Sequence, residues 1–183
     1  EDLRSKGVSL FFLIALTFQL NLWEWKTWEV VAFLVKPVTE GHARCRFADV
    51  PEVKPFTGPA TVFVSHCWGG RWGDVVAAVS VGARCDRRVW LDIFAVRQWP
   101  GNGGDLNFKG VIAEVNAVVV AARTLSGRLS QEFVARNDAK IAEYVASVEY
   151  RKAARELPFC RLWCIVEFYA AITSGKPLIF KCL

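Results

Sequence analysis

The stretch FCRLWCIVEFYAAITSGKPLIFKC, from Phe159 to Cys182, predicts a helix, a stop and a strand. From Leu162 to Ile172 every residue is apolar except Glu167. A helix that is apolar on all faces is typical of a buried helix. The carboxyl group of Glu167 must therefore be paired, hydrated in a cleft or protonated. This isolated acid is the first candidate for a functional residue.

Gly175 supplies a left-handed position at the end of the helix that contains Glu167, and Pro177 prevents that helix from continuing. The strand that follows and the other apolar runs of the chain predict a parallel sheet. Helices that alternate with continuously apolar strands indicate an α/β protein whose sheet is covered by helices on both faces. The strands are predicted at Ala60–His66, Arg88–Asp92, Ala117–Ala122 and Leu178–Cys182.

Composition and charge limit the class of protein. The 183 residues, 53% of them hydrophobic and 22% charged, are enough for one globular domain. The net charge of +5 comes from dispersed cations, without a basic stripe interleaved with aromatics, so we expect no nucleic-acid partner. The six cysteines and two histidines lack paired metal-ligand spacings. We therefore expect reduced thiols in a cytoplasmic protein, and no bound metal.

Residues 1–59 are predicted as an N-terminal apolar segment, a short helix and a linker ahead of a domain at 60–183. Val8–Leu20 is continuously apolar but shorter than the ~20 residues of a membrane-spanning helix. A signal-peptide core, a membrane anchor, an element packed on the domain and the end of a preceding region all stay open for it. Membrane association is not favoured, but it would involve this segment. Trp25–Lys36 predicts a helix ended by the following proline, and Pro37–Pro59 predicts a linker or surface wrap.

Polar side chains follow the first two predicted strands of the sheet. Ser65 and His66 come at the end of one strand, and Asp92 comes at the end of the next. In parallel sheets the ligand crevice lies at the carboxyl ends of the strands, where the strand order reverses. The third strand delivers the chain to the same edge, so we expect Glu167 near the mouth of this cleft.

Three blocks of the chain resemble the Toll/interleukin-1 receptor (TIR) superfamily. They are VFVSH from Val62, VWLDIFAVRQWPGNGGDL from Val89 and RLWCIVEFYAAITSGKPLIF from Arg161. The third block resembles the Trp-Cys-x-x-Glu helix of plant disease-resistance TIR domains, and the first two also resemble TIR-like domains of algae and protists. The resemblance implies a flavodoxin-like parallel sheet of about four strands in the order 2-1-3-4. Residues 123–158, with a charged helix over Ser130–Glu156, would be an insertion before the last unit.

In the plant domains the glutamate of this motif is needed for NAD hydrolysis. The resemblance therefore implies an NAD(P) glycohydrolase or cyclase that cleaves the nicotinamide–ribose bond, with NAD(P) as substrate. It also implies immune or cell-death-type signalling by self-association or by contact with other TIR-like domains. The alternative is a non-catalytic TIR-like interaction module, because many TIR domains are adaptors.

The resemblance also suggests which residues form the site. Glu167 is expected as the catalytic carboxylate, and the alternative is a buried acid neutralised by Arg161 or Arg97. The loop from residue 92 to 105 is expected either as a glycine-rich lid over the ligand or as a surface turn. Trp163 is expected to pack in the core. The expected nucleotide-binding residues are Ser65, His66, Trp68, Arg71, Asp92, Phe94, Trp99 and Cys164.

Overall fold

The computed structural model describes residues 2–122, 146–148, 150–151 and 157–182. These residues form a mixed six-stranded sheet in the order β2-β1-β4-β3-β5-β6. The strands are β1 (Gly7–Ser9), β2 (Thr57–Gly58), β3 (Val62–Ser65), β4 (Arg88–Trp90), β5 (Ala117–Ala122) and β6 (Leu178–Cys182). The predicted α/β class is confirmed.

The four predicted strands are parallel neighbours in the predicted order. In that numbering β4-β3-β5-β6 is the order 2-1-3-4, as in a flavodoxin-like sheet. The register pairs Phe63 with Val118, and Val120 with Phe180.

The predicted count of about four strands is wrong, because β1 and β2 extend the sheet in antiparallel fashion beyond β4. These strands have only three and two residues, too few for an alternating or continuous apolar pattern to reveal them. A Cβ atom at Gly7 would lie 2.8 Å from the Cα of Ala60, so the close approach of the chain here requires glycine.

The helices cover both faces of the sheet. On one face, Val62, Val64 and Val119 of the sheet pack with apolar residues of the helices at 10–19 and 72–80. On the opposite face, Phe63 and Val118 pack with apolar residues of the helices at 108–114 and 162–173. This alternation is the one expected when successive strand residues point to opposite faces. The helices are α1 (Leu10–Gln19), α2 (Thr27–Val30), α3 (Lys36–Glu40), α4 (Trp72–Ser80), α5 (Asp92–Ala95), α6 (Phe108–Glu114) and α7 (Leu162–Thr173).

The apolar run Val8–Leu20 divides between β1 and α1. Helix α1 has ten residues, with Leu13 and Thr17 buried and Phe11 and Phe18 each 75% exposed. Across the described residues, no helix combines the length and the apolar character needed to cross a membrane.

The predicted helix end at Pro37 is wrong. Helix α2 continues through a π-helical turn, Val31–Val35, into α3, which ends at Glu40. Proline lacks an N–H and its ring normally crowds the carbonyl four residues earlier. The wider π turn changes the hydrogen-bonding pattern just before Pro37, as the N–H of Lys36 donates to Val31 O.

The stretch predicted as a linker or surface wrap contributes to the core. Phe47, Val50 and Val53 are buried with the residues of β3 and α4. The loop of residues 93–105 also contains structure that was not predicted, since it begins within α5 and closes with a 3-10 turn at Gly103–Asp105.

The expectation that α7 is buried on all faces is also wrong. Cys164, Ala170 and Ala171 are buried, whereas Leu162 is 76% exposed and Ile172 is 67% exposed. The helix therefore contacts the body of the protein mainly through small side chains on one face. The insertion at 123–158 and its predicted helix lie largely outside the described residues.

Candidate functional site

A pocket of about 370 Å³ lies beyond the carboxyl ends of β3 and β4. His66 directly follows β3, and Asp92 is the second residue after β4. Both side chains therefore lie at the edge of the sheet that was predicted for a ligand crevice. Helix α7 supplies one wall, and the chain after α5 supplies another. The lining residues are His66, Trp68, Trp90, Asp92, Val96, Gln98, Asn102, Leu106, Phe108, Arg161, Trp163, Cys164 and Glu167.

The carboxyl group of Glu167 is held by the last residue of β3. Ser65 Oγ donates a hydrogen bond of 2.5 Å to Glu167 Oε2, and Ser65 is completely buried. Burial raises the pKa of Glu167 well above its ordinary value. The Ser65 hydrogen bond and the positive charge of Arg161 oppose this shift. Glu167 is thus an acid that keeps its proton to a higher pH than an exposed glutamate does.

His66 and Asp92 stand side by side in the pocket. His66 is 6% exposed, and its Nε2 atom lies 3.8 Å from Asp92 Oδ1. Burial lowers the pKa of His66 despite the nearby Asp92, so the imidazole is neutral near neutral pH. Asp92 accepts hydrogen bonds from the indole Nε1 of Trp68 at 2.8 Å and from the backbone N–H of Ile93 at 2.7 Å. Both carboxylate oxygens are therefore held in place.

Two buried thiols lie beside the acid. The Cys67 and Cys164 side chains interact, and Cys164 Sγ also donates to the backbone carbonyl of His66 at 3.5 Å. The Cys164 thiol lowers the pKa of Cys67, with help from the positive charge of Arg161, whereas the same contact and burial raise the pKa of Cys164. Cys164 therefore keeps its proton and supplies a neutral wall next to Glu167.

Aromatic rings enclose the mouth of the pocket. Trp163 and Phe108 meet edge to face, with ring centroids 5.5 Å apart. Trp163 is 53% exposed, so its predicted role in core packing is wrong. Trp163 and Cys164 both line the pocket, but Cys164 is buried. An aromatic ring that is half exposed at a pocket mouth can stack on a flat ligand.

The chain after α5 is tied to the N-terminal part of the protein. Trp99 Nε1 donates to Thr39 Oγ1 at 3.0 Å, and the Arg44 guanidinium lies 4.6 Å from the Trp99 ring centroid. Asp105 is 1% exposed and accepts hydrogen bonds from Arg46 at 2.5 Å and from Arg97 at 2.9 Å. These contacts fix both ends of a segment that also carries two pocket residues, Gln98 and Asn102.

The structure brings most of the predicted site residues together. His66, Trp68, Asp92, Cys164 and Glu167 line the pocket. Ser65 reaches it through its hydrogen bond to Glu167.

Three predicted residues lie elsewhere. Phe94 is fully buried and stacks on Phe47, with centroids 4.7 Å apart. Trp99 packs on the N-terminal segment, as described above. Arg71 forms ion pairs with Asp74 and Glu24. None of the three lines the pocket, because their side chains already have partners within the fold.

Sequence reasoning missed several pocket residues. Arg161 is predicted only as a possible charge partner of Glu167, and Trp163 only as a core residue, although both belong to the same block as Glu167 and lie at the start of α7. Trp90 ends strand β4, and the others come from loops or from the start of α6, where periodicity carries no signal. The pocket residues not predicted as nucleotide contacts are Trp90, Val96, Gln98, Asn102, Leu106, Phe108, Arg161 and Trp163.

Comparisons with models of protein families, with curated proteins and with solved structures found no match. In the described ranges, no group of three or more His, Cys, Asp or Glu side chains is placed to hold a metal ion.

Proposed function

We propose that this chain is a TIR-like NAD(P) glycohydrolase or cyclase that cleaves the nicotinamide–ribose bond in the pocket around Glu167. The observation that carries the proposal is the Ser65–Glu167 pair: an oriented carboxyl group in a partly enclosed, aromatic-walled pocket. The resemblance of residues 161–180 to the glutamate helix of plant TIR domains supports the assignment of this acid.

Cleavage of the nicotinamide–ribose bond requires a negative charge near the ribose rather than a proton donor. Nicotinamide leaves NAD⁺ as a neutral molecule, so no proton has to be given to it. The ribose that remains resembles an oxocarbenium ion, and an anion held beside it lowers the barrier. Glu167 supplies that anion once ionised, and a site shielded from water makes its charge more effective than it would be in solution.

The raised pKa of Glu167 favours the protonated form in the free protein, so the anion has to form when the substrate binds. The pyridinium ring of NAD⁺ is cationic, and a cation near a carboxyl group favours the ionised form. Binding of the substrate would therefore help to ionise the acid that catalyses its cleavage. Ser65 keeps the carboxylate oriented, because its hydroxyl donates to Oε2. Trp163 and Trp68 provide aromatic surfaces for the nicotinamide or adenine ring.

The biological role belongs to the same proposal. We place the activity in self-association-dependent, immune or cell-death-type signalling, with NAD(P) as substrate and homo-oligomers or other TIR-like domains as partners. A cytoplasmic location agrees with the free thiols of all six cysteines.

A non-catalytic interaction module is the second candidate. The observation that favours it is the apolar outer face of α7, where Leu162, Ile165, Tyr169 and Ile172 are each about half exposed or more. Exposed apolar surface of this kind is typical of interaction sites.

Nicotinamide release from NAD⁺ at increasing protein concentration separates the two candidates. The enzyme proposal predicts release that rises more steeply than in proportion to protein, because assembly activates the site. Folded, self-associated protein that releases no nicotinamide would support the interaction module instead.

A further inference from the structure

The pocket contains a buried imidazole nitrogen that lacks a hydrogen-bond partner. His66 Nε2 has no partner among the described residues, although the side chain of His66 is only 3% exposed. Buried polar atoms in native proteins are rarely left unpaired, since an unmade hydrogen bond is costly. Because His66 lines the pocket, a molecule bound there can supply the partner of this nitrogen.

The other contacts of His66 determine what this nitrogen offers. The backbone carbonyl of Val64 acts on the pKa of His66 as a hydrogen-bond acceptor for the ring. Because Nε2 is unpartnered, we assign the proton of the neutral ring to Nδ1, toward this carbonyl. A neutral imidazole carries a single N–H, so Nε2 presents a lone pair and acts as an acceptor. The pocket therefore needs a hydrogen-bond donor at this point.

A second acceptor stands next to the first. Asp92 Oδ1 lies 3.8 Å from His66 Nε2, too far for a direct hydrogen bond between them. A nitrogen atom placed about 2.9 Å from each of these two atoms fits between them. A hydroxyl group has one proton and satisfies only one acceptor, whereas an –NH₂ group has two protons and satisfies both.

We propose that His66 Nε2 and Asp92 Oδ1 together bind the –NH₂ group of a planar ring that bears a carboxamide or an amino substituent. The aromatic side chains of Trp68, Phe108 and Trp163 supply the flat walls that such a ring needs. The inference rests on the proposed function, because NAD contains two groups of this kind: the carboxamide of nicotinamide and the amino group of adenine.

The same two residues reject the corresponding acid. A carboxylate in place of the carboxamide has no proton to donate, and it would face both the lone pair of His66 and the negative charge of Asp92. Sites that hydrogen-bond a polar group discriminate strongly against analogues that leave those bonds unmade. His66 and Asp92 are thus specificity-determining residues.

Binding of uncleavable fragments to the wild-type protein tests this inference apart from turnover. Two pairs of probes, each followed by ligand-observed NMR or calorimetry, are nicotinamide against nicotinic acid and adenosine against inosine. Tighter binding of nicotinamide than of nicotinic acid, by about tenfold or more, identifies the carboxamide as the bound group. The same preference for adenosine over inosine identifies the adenine amino group instead. Equal binding within both pairs, or tighter binding of the acid, overturns the proposal.

Two variants link the discrimination to the named atoms. His66→Asn keeps a donor near the position of Nδ1 and removes the acceptor at Nε2, and Asp92→Asn removes the negative charge. In the pair of probes that the wild type discriminates, each variant is expected to reduce the ratio of the two dissociation constants to about threefold or less. Circular dichroism checks that each variant is folded. Full discrimination in both folded variants overturns the assignment. An absence of NAD cleavage with intact discrimination would count against the proposed enzyme but not against this binding site.

Discussion

Ser65 Oγ and Glu167 Oε2 are joined by a 2.5 Å hydrogen bond between residues 102 positions apart in the sequence. The bond connects the end of the central strand β3 to the second turn of α7, and it orients a carboxyl group at the pocket. Its two partners were each expected at the crevice edge, one from the end of a strand and one from an isolated acid in an apolar helix. Their direct contact is a finding of the structure.

The partly buried carboxyl group of Glu167 should make stability depend on pH. Because its pKa is raised in the folded state, the folded protein holds a proton that the unfolded chain releases. Its contribution to stability is fully present below the ordinary carboxyl pKa and is lost as the pH rises through the raised pKa. Glu167→Gln removes this dependence, so the melting temperature of the variant should rise relative to that of the wild type as the pH increases above the ordinary carboxyl pKa.

Differential scanning fluorimetry measures this gain, and a change of about 1 kcal/mol shifts the melting temperature by about 2–4 °C in a chain of this size. Glu114→Gln, at an exposed position on α6, is the control and should follow the wild type at every pH. A constant difference between Glu167→Gln and the wild type over the whole range would contradict a raised pKa.

Replacement of Trp163 should weaken substrate binding without unfolding the protein. The ring is half exposed at the pocket mouth, so Trp163→Ala removes a stacking surface and little buried area. Stacking on an aromatic side chain is worth about 1–3 kcal/mol, which corresponds to an increase in KM of roughly 5-fold to 150-fold. Tyr169→Ala, on the same helix and away from the pocket lining, should leave KM unchanged. Equal effects of the two variants would argue against a ligand contact by Trp163.

The carboxylate of Asp105 should be important for stability. It is almost completely buried, and although burial alone would raise its pKa, hydrogen bonds from Arg97 and Arg46 hold that pKa below its ordinary value. Asp105→Asn removes the charge that both guanidinium groups face, at an expected cost of about 3–5 kcal/mol in urea denaturation. Asp86→Asn, in the exposed pair with Arg84, should cost less than about 1 kcal/mol. Similar costs at both positions would contradict the buried network.

Helix α1 offers a direct test of whether the first residues belong to the folded domain. Leu13 is fully buried in the core, whereas Phe11 is 75% exposed on the same helix. Leu13→Ala should cost about 3 kcal/mol because it opens a cavity, and Phe11→Ala should cost less than about 0.5 kcal/mol. Thermal or urea denaturation compares the two. A negligible effect of Leu13→Ala would mean that α1 does not pack as described.

Much of the parallel core could be predicted, because its strands are short and continuously apolar. Ala117–Ala122 is an example: all six residues are buried, and the strand begins and ends where predicted. The antiparallel strands β1 and β2 carry no such pattern, and their pairing depends on tertiary contacts. The extension of α3 past Pro37 could not be predicted either, because residue preferences do not reveal a π turn.

The site was predictable where a residue's position followed from a strand end. Ser65, His66 and Asp92 were placed by that rule, and each lies at or beside the pocket. Phe94 and Trp99 were expected because their loop resembles the ligand-covering loop of TIR domains, and aromatic side chains in a loop can turn either to a ligand or to the core. In the structure Phe94 stacks on Phe47, and Trp99 donates a hydrogen bond to Thr39. Those partners lie in the N-terminal stretch, where sequence patterns predicted a linker.

Nicotinamide release from NAD⁺ by the wild type, by Glu167→Gln and by Glu114→Gln tests the proposed activity most directly. The proposal predicts release by the wild type and by Glu114→Gln at similar rates, and a rate at least about 100-fold lower for Glu167→Gln, because the charge that stabilises the transition state is gone. Release by none of the three folded proteins, or equal release by the wild type and Glu167→Gln, would contradict it.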